Sequence, residues 1–242
     1  MRIWTRIGQI VNPSFPVTVE QAQRERERMM ADPRPLPRPV VVIAGWRSPR
    51  VSAMVAAREL CSLTSGRSGD FLSVSYAWLG DIGLARREVE LRVEAFASPH
   101  GANEVDAVGI SMGGLVARTL GARVVRLFTL ATPHRGARLA RWVRPDSAAR
   151  AMKPGSAFLR ELDAGRDGPR EMVCYTHLRD WWVGSANTAP PGREPIWCDT
   201  RNSPDTLLSH FTVSSDVRIL VDIARRLRGE MPLGGEGEPP PI

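Results

Sequence analysis

A serine flanked by two glycines stands where an apolar segment gives way to a helical one. Gly109-Ile110-Ser111-Met112-Gly113 fits the pattern G-x-S-x-G, between a predicted strand at residues 105–110 and a predicted helix at residues 112–120. In this setting the glycines permit a tight turn, and the serine hydroxyl projects at the end of the strand. The helix N-terminus also favours negative charge there. The pattern predicts a nucleophilic Ser111; the alternative is a structural glycine-rich turn.

A nucleophilic serine needs a base within hydrogen-bond reach. The sequence offers four histidines. His100 lies in a loop before the strand at residues 105–110, and His134 lies in a Thr-Pro-His-Arg-Gly segment, where fixing the loop is its expected role. His177 follows the fifth predicted strand, and His210 lies between the last predicted strand and the last helix. Position alone leaves both His177 and His210 open.

Segments of strand length alternate with helical segments along the chain. The predicted strands are residues 40–44, 71–76, 105–110, 124–130, 171–176 and 194–198. The predicted helices are residues 52–63, 82–96, 112–120, 156–162 and 217–227. Such alternation gives right-handed crossovers and a parallel sheet. We therefore predict a three-layer α/β/α domain with a mostly parallel sheet of about six strands, whose chemistry lies beyond the carboxyl ends of the strands.

Two segments resemble a known family. Residues 106–118 (DAVGISMGGLVAR) resemble the nucleophile elbow of bacterial lipases and esterases of the α/β-hydrolase superfamily, and residues 130–136 (LATPHRG) are similar to their T-P-H-x-G stretch. The resemblance covers residues 40–227 in element order. It implies a serine hydrolase that cleaves carboxylic esters through an acyl-enzyme, with no metal or cofactor.

The resemblance also implies the partners of the serine. The superfamily order of serine, acid and histidine makes His210 the general base and places the acid just after the fifth strand, at Asp180. Asp199, which follows the sixth strand, and Asp205 are the alternatives for the acid.

The same geometry implies two backbone donors for the developing oxyanion. One is the N–H of Met112, directly after the nucleophile, and the other is the N–H of Trp46 in the loop after the first strand. That loop resembles the family's H-G-x segment, but Ala44 stands in place of the histidine.

Four tryptophans follow predicted strands and are expected to line an apolar substrate cleft on the catalytic face. They are Trp46, Trp78, Trp181 and Trp182. Residues 137–170 lie where this superfamily inserts caps and are too few for a full lid domain. We therefore expect a minimal lid or none.

Composition changes at both ends of the chain. Residues 1–39 are interpreted as an extension, with a polar helix at residues 17–30 capped by Thr18 and a proline-rich spacer after it. Residues 229–242 are rich in Gly, Pro and Glu and are predicted to form a flexible tail. Residues 40–228 remain as the catalytic domain.

Charge and composition limit the partners. The net charge is +7, but the arginines are interleaved with acids along the whole chain, so nucleic acid is not an expected partner. The sequence has no apolar run of 18 residues, which argues against stable membrane insertion. Arg6 and Gln9 interrupt the apolar N-terminal stretch, so a signal peptide is not expected and the predicted location is cytoplasmic. The three cysteines, Cys61, Cys174 and Cys198, lack metal-ligand spacing.

The leading hypothesis is thus an enzyme that acts on small-molecule or lipid esters. The alternatives are a thioesterase or amidase with the same triad, because the leaving group leaves no mark on the sequence, and a binding module that kept the fold without the chemistry. The oligomeric state stays open.

Overall fold

The structure, a computed structural model, describes residues 10–141, 146–165, 168–200 and 208–241. Within these residues the strands are β1 Val40–Ile43, β2 Phe71–Val74, β3 Val105–Ile110, β4 Val124–Leu130, β5 Glu171–His177 and β6 Ile196–Cys198. The helices are α1 Val19–Ala31, α2 Arg50–Leu63, α3 Ile82–Ala97, α4 Met112–Arg118, α5 Ser147–Ala151, α6 Ala157–Ala164, α7 Ser209–Thr212 and α8 Val217–Leu227. The predicted alternation is confirmed, and the short helices α5 and α7 are additions that the sequence analysis did not predict.

The described strands form one six-stranded sheet in the order β2-β1-β3-β4-β5-β6. Every neighbouring pair is parallel. Gly109 at the end of β3 pairs with Ile43 at the end of β1, and Ile110 pairs with Leu130 at the end of β4. The carboxyl ends of these three strands therefore meet at one edge, where the loops that follow them come together.

The sheet is covered on both faces, as predicted for a three-layer domain. Alternate residues of β1 enter different cores: Val40 and Val42 pack with α1, α2 and α8, whereas Val41 and Ile43 pack with α3 and α4. Because successive strand residues point to opposite faces, a strand covered on both sides is apolar throughout. This explains the uninterrupted run at residues 40–43.

The N-terminal extension joins the main core. Thr18 and Gln21 form a reciprocal capping box at the start of α1. Met29, from an otherwise polar helix, and Phe15, before it, are buried in the core that covers one face of the sheet. The overall polarity of this helix concealed its narrow buried stripe. Residues 1–9, which include Arg6 and Gln9, lie outside the described residues.

The C-terminal segment, expected from its composition to form a flexible tail, makes several contacts with the rest of the domain. Leu233 packs against the core, and Arg226 donates a hydrogen bond to the Gly234 carbonyl oxygen at 2.6 Å. The Trp197 indole N–H donates to the Glu238 carbonyl oxygen at 2.9 Å. One apolar side chain and a few backbone carbonyls thus hold a segment that is otherwise Gly, Pro and Glu.

Among the described helices, none combines the length and the apolar character needed to cross a membrane.

Candidate active site

Ser111 occupies a strained turn between β3 and α4. Its backbone has φ +51° and ψ −126°, a conformation that non-glycine residues rarely adopt. A Cβ at Gly109 would lie 2.3 Å from the Gly114 Cα, and one at Gly113 would lie 2.4 Å from the Ile43 carbonyl oxygen. Close backbone approach therefore requires glycine at both positions of the motif.

The structure brings Ser111, His210 and Asp180 into one hydrogen-bonded line. His210 Nε2 lies 3.1 Å from Ser111 Oγ, and His210 Nδ1 lies 2.8 Å from Asp180 Oδ2. A carboxylate only accepts, so the imidazole proton belongs on Nδ1 and the Nε2 lone pair faces the serine hydroxyl. Both His210 and Asp180 are buried. This arrangement can withdraw a proton from the hydroxyl and hold the resulting imidazolium.

The second oxygen of Asp180 is fixed by backbone donors. Its Oδ1 accepts hydrogen bonds from the N–H groups of Trp182 at 2.9 Å and Val183 at 3.0 Å. Asp199, the first alternative for the acid, instead contacts Arg179 at 3.3 Å and accepts a hydrogen bond from the Ile10 N–H. Asp205, the second alternative, lies outside the described residues.

Two further hydrogen bonds join the loops that carry the acid and the base. The Ser209 hydroxyl donates to the Arg179 carbonyl oxygen at 2.6 Å, so the residues preceding His210 and Asp180 are linked directly. His177 Nδ1 donates to the Ser209 carbonyl oxygen at 2.8 Å, and His177 Nε2 lies 3.0 Å from Asp216 Oδ2. His177, left open as a base from sequence, thus faces a carbonyl and a carboxylate.

The loop after β1 borders the serine hydroxyl. A Cβ at Gly45 would lie 3.8 Å from Ser111 Oγ, which places the neighbouring Trp46 beside the nucleophile. The Trp46 indole N–H donates to Asp146 Oδ2 at 3.2 Å, and Arg47 donates to the same oxygen at 3.1 Å. Asp146 therefore ties this loop to α5, whose N-terminus it caps. The sequence analysis missed Asp146 because α5 itself was not predicted.

The Thr-Pro-His-Arg-Gly segment supports the turn from behind. The Thr132 hydroxyl donates to the Ser111 carbonyl oxygen at 2.8 Å. His134 is buried; its Nε2 lies 3.1 Å from Thr129 Oγ1, and its Nδ1 lies 3.2 Å from an Arg118 guanidinium nitrogen. Burial, reinforced by the charge of Arg118, holds the pKa of His134 well below its usual value. These contacts match the loop-fixing role expected for His134.

A small apolar cavity of about 100 Å³ opens beside Ser111 and His210. Trp46 and Trp182, two of the four tryptophans expected in the substrate cleft, line it. Among the described residues Trp78 and Trp181 do not line it: they are 92% and 57% exposed, and their side chains point to solvent. The prediction for these two tryptophans is corrected accordingly. The remaining walls are Pro133, Ala137, Leu139, Ala140, Ala149, Met152, Val183 and Phe211.

A larger cleft of about 610 Å³ lies beside the N-terminal segment and does not include Ser111. Three of its lining side chains pair with one another: Arg218 donates to Asp216 at 2.6 Å, and Asp216 also contacts His177. Burial opposes ionisation of Asp216, but the hydrogen bonds from His177 and Arg218 hold its pKa well below the usual range. The nucleophile and its base thus face the smaller cavity.

A further feature of the described residues is the placement of their metal-ligating and thiol side chains. It contains no group of three or more His, Cys, Asp or Glu side chains placed to hold a metal ion. The cysteines are free and buried, and burial raises the pKa of the Cys174 thiol to about 11. Such a thiol is a poor nucleophile at neutral pH.

No protein-family model and no curated protein matches the sequence. Several solved structures are nevertheless similar in fold. The mature Bacillus licheniformis lipase BlEst2 is 15% identical, with a TM-score of 0.57 over 81% of this chain and 94% of that one. Aspergillus fumigatus lipase B is 14% identical, with a TM-score of 0.58 over 100% of this chain and 65% of that one. The metagenomic carboxyl esterase MGS0156 is 15% identical, with a TM-score of 0.54 over 91% and 97%. The chain therefore has the α/β-hydrolase fold of these structures.

Proposed function

We propose that this protein hydrolyses carboxylic esters of small molecules or lipids, with Ser111 as nucleophile, His210 as general base and Asp180 as the acid. The observation that carries the proposal is the line from Ser111 Oγ through the imidazole to a buried carboxylate, at 3.1 and 2.8 Å. The structural similarity to lipases and a carboxyl esterase supports hydrolase activity in general.

The reaction begins when His210 Nε2 takes the hydroxyl proton of Ser111 as the oxygen attacks the ester carbonyl. The negative charge that develops on the carbonyl oxygen would be held by the backbone N–H groups of Met112 and Trp46. Protonated His210 then donates its proton to the leaving alcohol, and an acyl-enzyme remains. Water, activated by the same imidazole, attacks the acyl carbon and releases the acid.

Asp180 stabilises the imidazolium that forms in both steps. Because Asp180 Oδ1 is held by two backbone N–H groups, Oδ2 stays aimed at His210 Nδ1. The carboxylate therefore fixes both the tautomer and the orientation of the base.

The test compares hydrolysis of p-nitrophenyl acetate by the wild type and by Ser111→Ala. We expect kcat/KM to fall by about a thousandfold or more, as removal of a triad member does in other serine hydrolases. Ser62→Ala is the matched control, because among the described residues its hydroxyl donates to the Glu59 carbonyl oxygen on α2 alone, and it should keep the wild-type rate.

Covalent labelling with a fluorophosphonate probe separates an enzyme from a binding module. Wild type and Ser62→Ala should be labelled, and Ser111→Ala should not. Equal labelling of all three proteins, or of none, would contradict the assignment of Ser111 as nucleophile.

A further inference from the structure

The side chains that line the cavity beside Ser111 include a buried set, here called the closed side, and an exposed set, here called the open side. On the closed side lie Ala140, Ala149 and Met152, all of them buried. On the open side lie Trp182 and Phe211, which are 39% and 54% exposed and meet edge to face at 5.1 Å. The two sides offer very different space to the two halves of an ester.

The position of His210 decides which half lies on which side. The leaving oxygen must receive its proton from His210 Nε2, so the alcohol lies on the imidazole side of the acyl carbon. Trp182 stacks beside this imidazole at 6.1 Å, and Phe211 follows it in the chain at 5.3 Å. The alcohol thus faces the open aromatic side, and the acyl chain is directed to the closed side.

Hydrogen bonds hold the closed side in place. The Ala137 N–H donates to the Met152 carbonyl oxygen at 2.8 Å, which joins the segment after β4 to the residue that follows α5. The Ala149 N–H donates to Asp146 Oδ1 at 2.7 Å, and Asp146 Oδ2 bonds the Trp46 indole. Because α5 and Met152 are hydrogen-bonded both to Ala137 and, through Asp146, to the loop after β1, widening the closed side of the cavity would break several hydrogen bonds.

The size of this space limits the acyl group. A dry cavity of about 150 Å³ accommodates one benzene molecule. The space here is about 100 Å³ and must hold the reacting carbonyl as well as the chain. It therefore fits roughly two to four acyl carbons, by comparison with the six carbons of benzene.

We propose that the enzyme is specific for esters of short-chain acids, from acetyl to butyryl, and that Ala149 and Met152 set this limit. The inference rests on the proposed ester hydrolysis. The alcohol half, on the open side, is not restricted in the same way.

The test measures kcat/KM for p-nitrophenyl acetate, butyrate, hexanoate and octanoate. In the wild type we expect octanoate to fall about a hundredfold or more below butyrate, since one methylene in a fitted apolar pocket changes discrimination about tenfold or more. Met152→Ala should raise the octanoate-to-butyrate ratio about tenfold. Ala149→Val should lower the butyrate-to-acetate ratio about tenfold, so a poorly folded Met152→Ala still leaves a second variant.

Met231→Ala is the matched control, because this methionine is 78% exposed in the C-terminal segment and lies outside the cavity. It should leave every ratio unchanged. A wild type that prefers octanoate, or variants that keep the wild-type ratios, would overturn the proposal even though ester hydrolysis itself would stand.

A second measurement does not depend on turnover. Alkylboronic acids form tetrahedral adducts with a nucleophilic serine, so propylboronic acid should protect Ser111 from fluorophosphonate labelling at about a hundredfold lower concentration than octylboronic acid. Better protection by octylboronic acid would overturn the short-chain proposal. A protein that neither hydrolyses any ester nor reacts with the fluorophosphonate would overturn the proposed function, and the inference with it.

Discussion

The described residues include two histidine–aspartate pairs whose side chains are at most 9% exposed, and one of these pairs faces a hydroxyl. His210 contacts Asp180 at 2.8 Å, and His177 contacts Asp216 at 3.0 Å. The other nitrogen of His210 faces Ser111 Oγ, whereas the other nitrogen of His177 faces the Ser209 carbonyl oxygen. Judged by pair distance and burial alone, the two pairs are nearly equivalent.

The difference between them lies in donor and acceptor chemistry. A hydroxyl can donate, so neutral His210 satisfies both neighbours and keeps a lone pair for the serine proton. A carbonyl and a carboxylate only accept, so neither neighbour of His177 carries a proton that its ring could take up. The first pair can therefore move a proton during a reaction, and the second is suited to holding two loops together.

The largest expected effect comes from neutralising each carboxylate in turn. Asp180→Asn should lower kcat/KM for p-nitrophenyl acetate by about ten-thousandfold, because the amide stabilises the wrong imidazole tautomer. Asp216→Asn should keep kcat/KM within about tenfold of the wild type but lower the free energy of unfolding by about 3 kcal/mol, because the buried Arg218 loses its carboxylate. Ester assays and urea titrations of both variants check this.

The same two variants can also contradict the different roles assigned to the two histidine–aspartate pairs. Comparable losses of activity in Asp180→Asn and Asp216→Asn, measured on protein shown to be folded, would mean that the second pair takes part in catalysis. An unchanged stability of Asp216→Asn would mean that its hydrogen bonds contribute little to the fold.

Substitutions of His177 should have a smaller effect on activity, and they distinguish the roles of its two hydrogen bonds. An asparagine at this position places its amide N–H near the site of Nδ1, so His177→Asn keeps a donor for the Ser209 carbonyl oxygen. A glutamine reaches the site of Nε2 instead, so His177→Gln keeps a donor for Asp216. If His177 positions His210 through Ser209, His177→Gln should lower kcat about tenfold to a hundredfold with KM little changed, since a shift of about 1 Å can have an effect of this size.

His177→Asn is the matched control and should keep kcat within about threefold of the wild type. Circular dichroism and thermal melts establish that both variants are folded. Equal kcat values for the two variants would show that the Ser209 contact does not position the base.

The sequence predicted those parts of the site that depend on local pattern. G-x-S-x-G after an apolar strand indicated the turn at Ser111, because the close approach of backbone at Gly109 and Gly113 leaves few alternatives. The strands were found to within a few residues, since a sheet covered on both faces needs continuous apolar runs. The choice of His210 over His177 came instead from family resemblance, because both histidines follow predicted strands.

Features that depend on tertiary contacts were missed. The direction of a tryptophan after a strand is set by the loop that carries it, so Trp78 and Trp181 were wrongly expected in the cleft. The cover formed by α5 and Met152 has no strong helical pattern, because five residues show no periodicity. The buried stripe of α1 likewise rests on only a few apolar side chains in a polar helix.

The smallest predicted effect is a pH dependence confined to the second pair. Hydrogen bonds from His177 and Arg218 hold the folded-state pKa of Asp216 below its unfolded value of about 3.9. The stabilisation is therefore fully present above that unfolded value and is lost as the pH falls through the folded-state pKa. The difference in unfolding free energy between wild type and Asp216→Asn should narrow by about 1 kcal/mol from pH 5 to pH 3.

Glu88→Gln, which breaks an exposed pair with Arg92, is the control and should differ from the wild type by less than about 0.5 kcal/mol at both pH values. A wild-type advantage over Asp216→Asn that stays constant or grows in acid would show that the second pair does not depend on an ionised carboxylate.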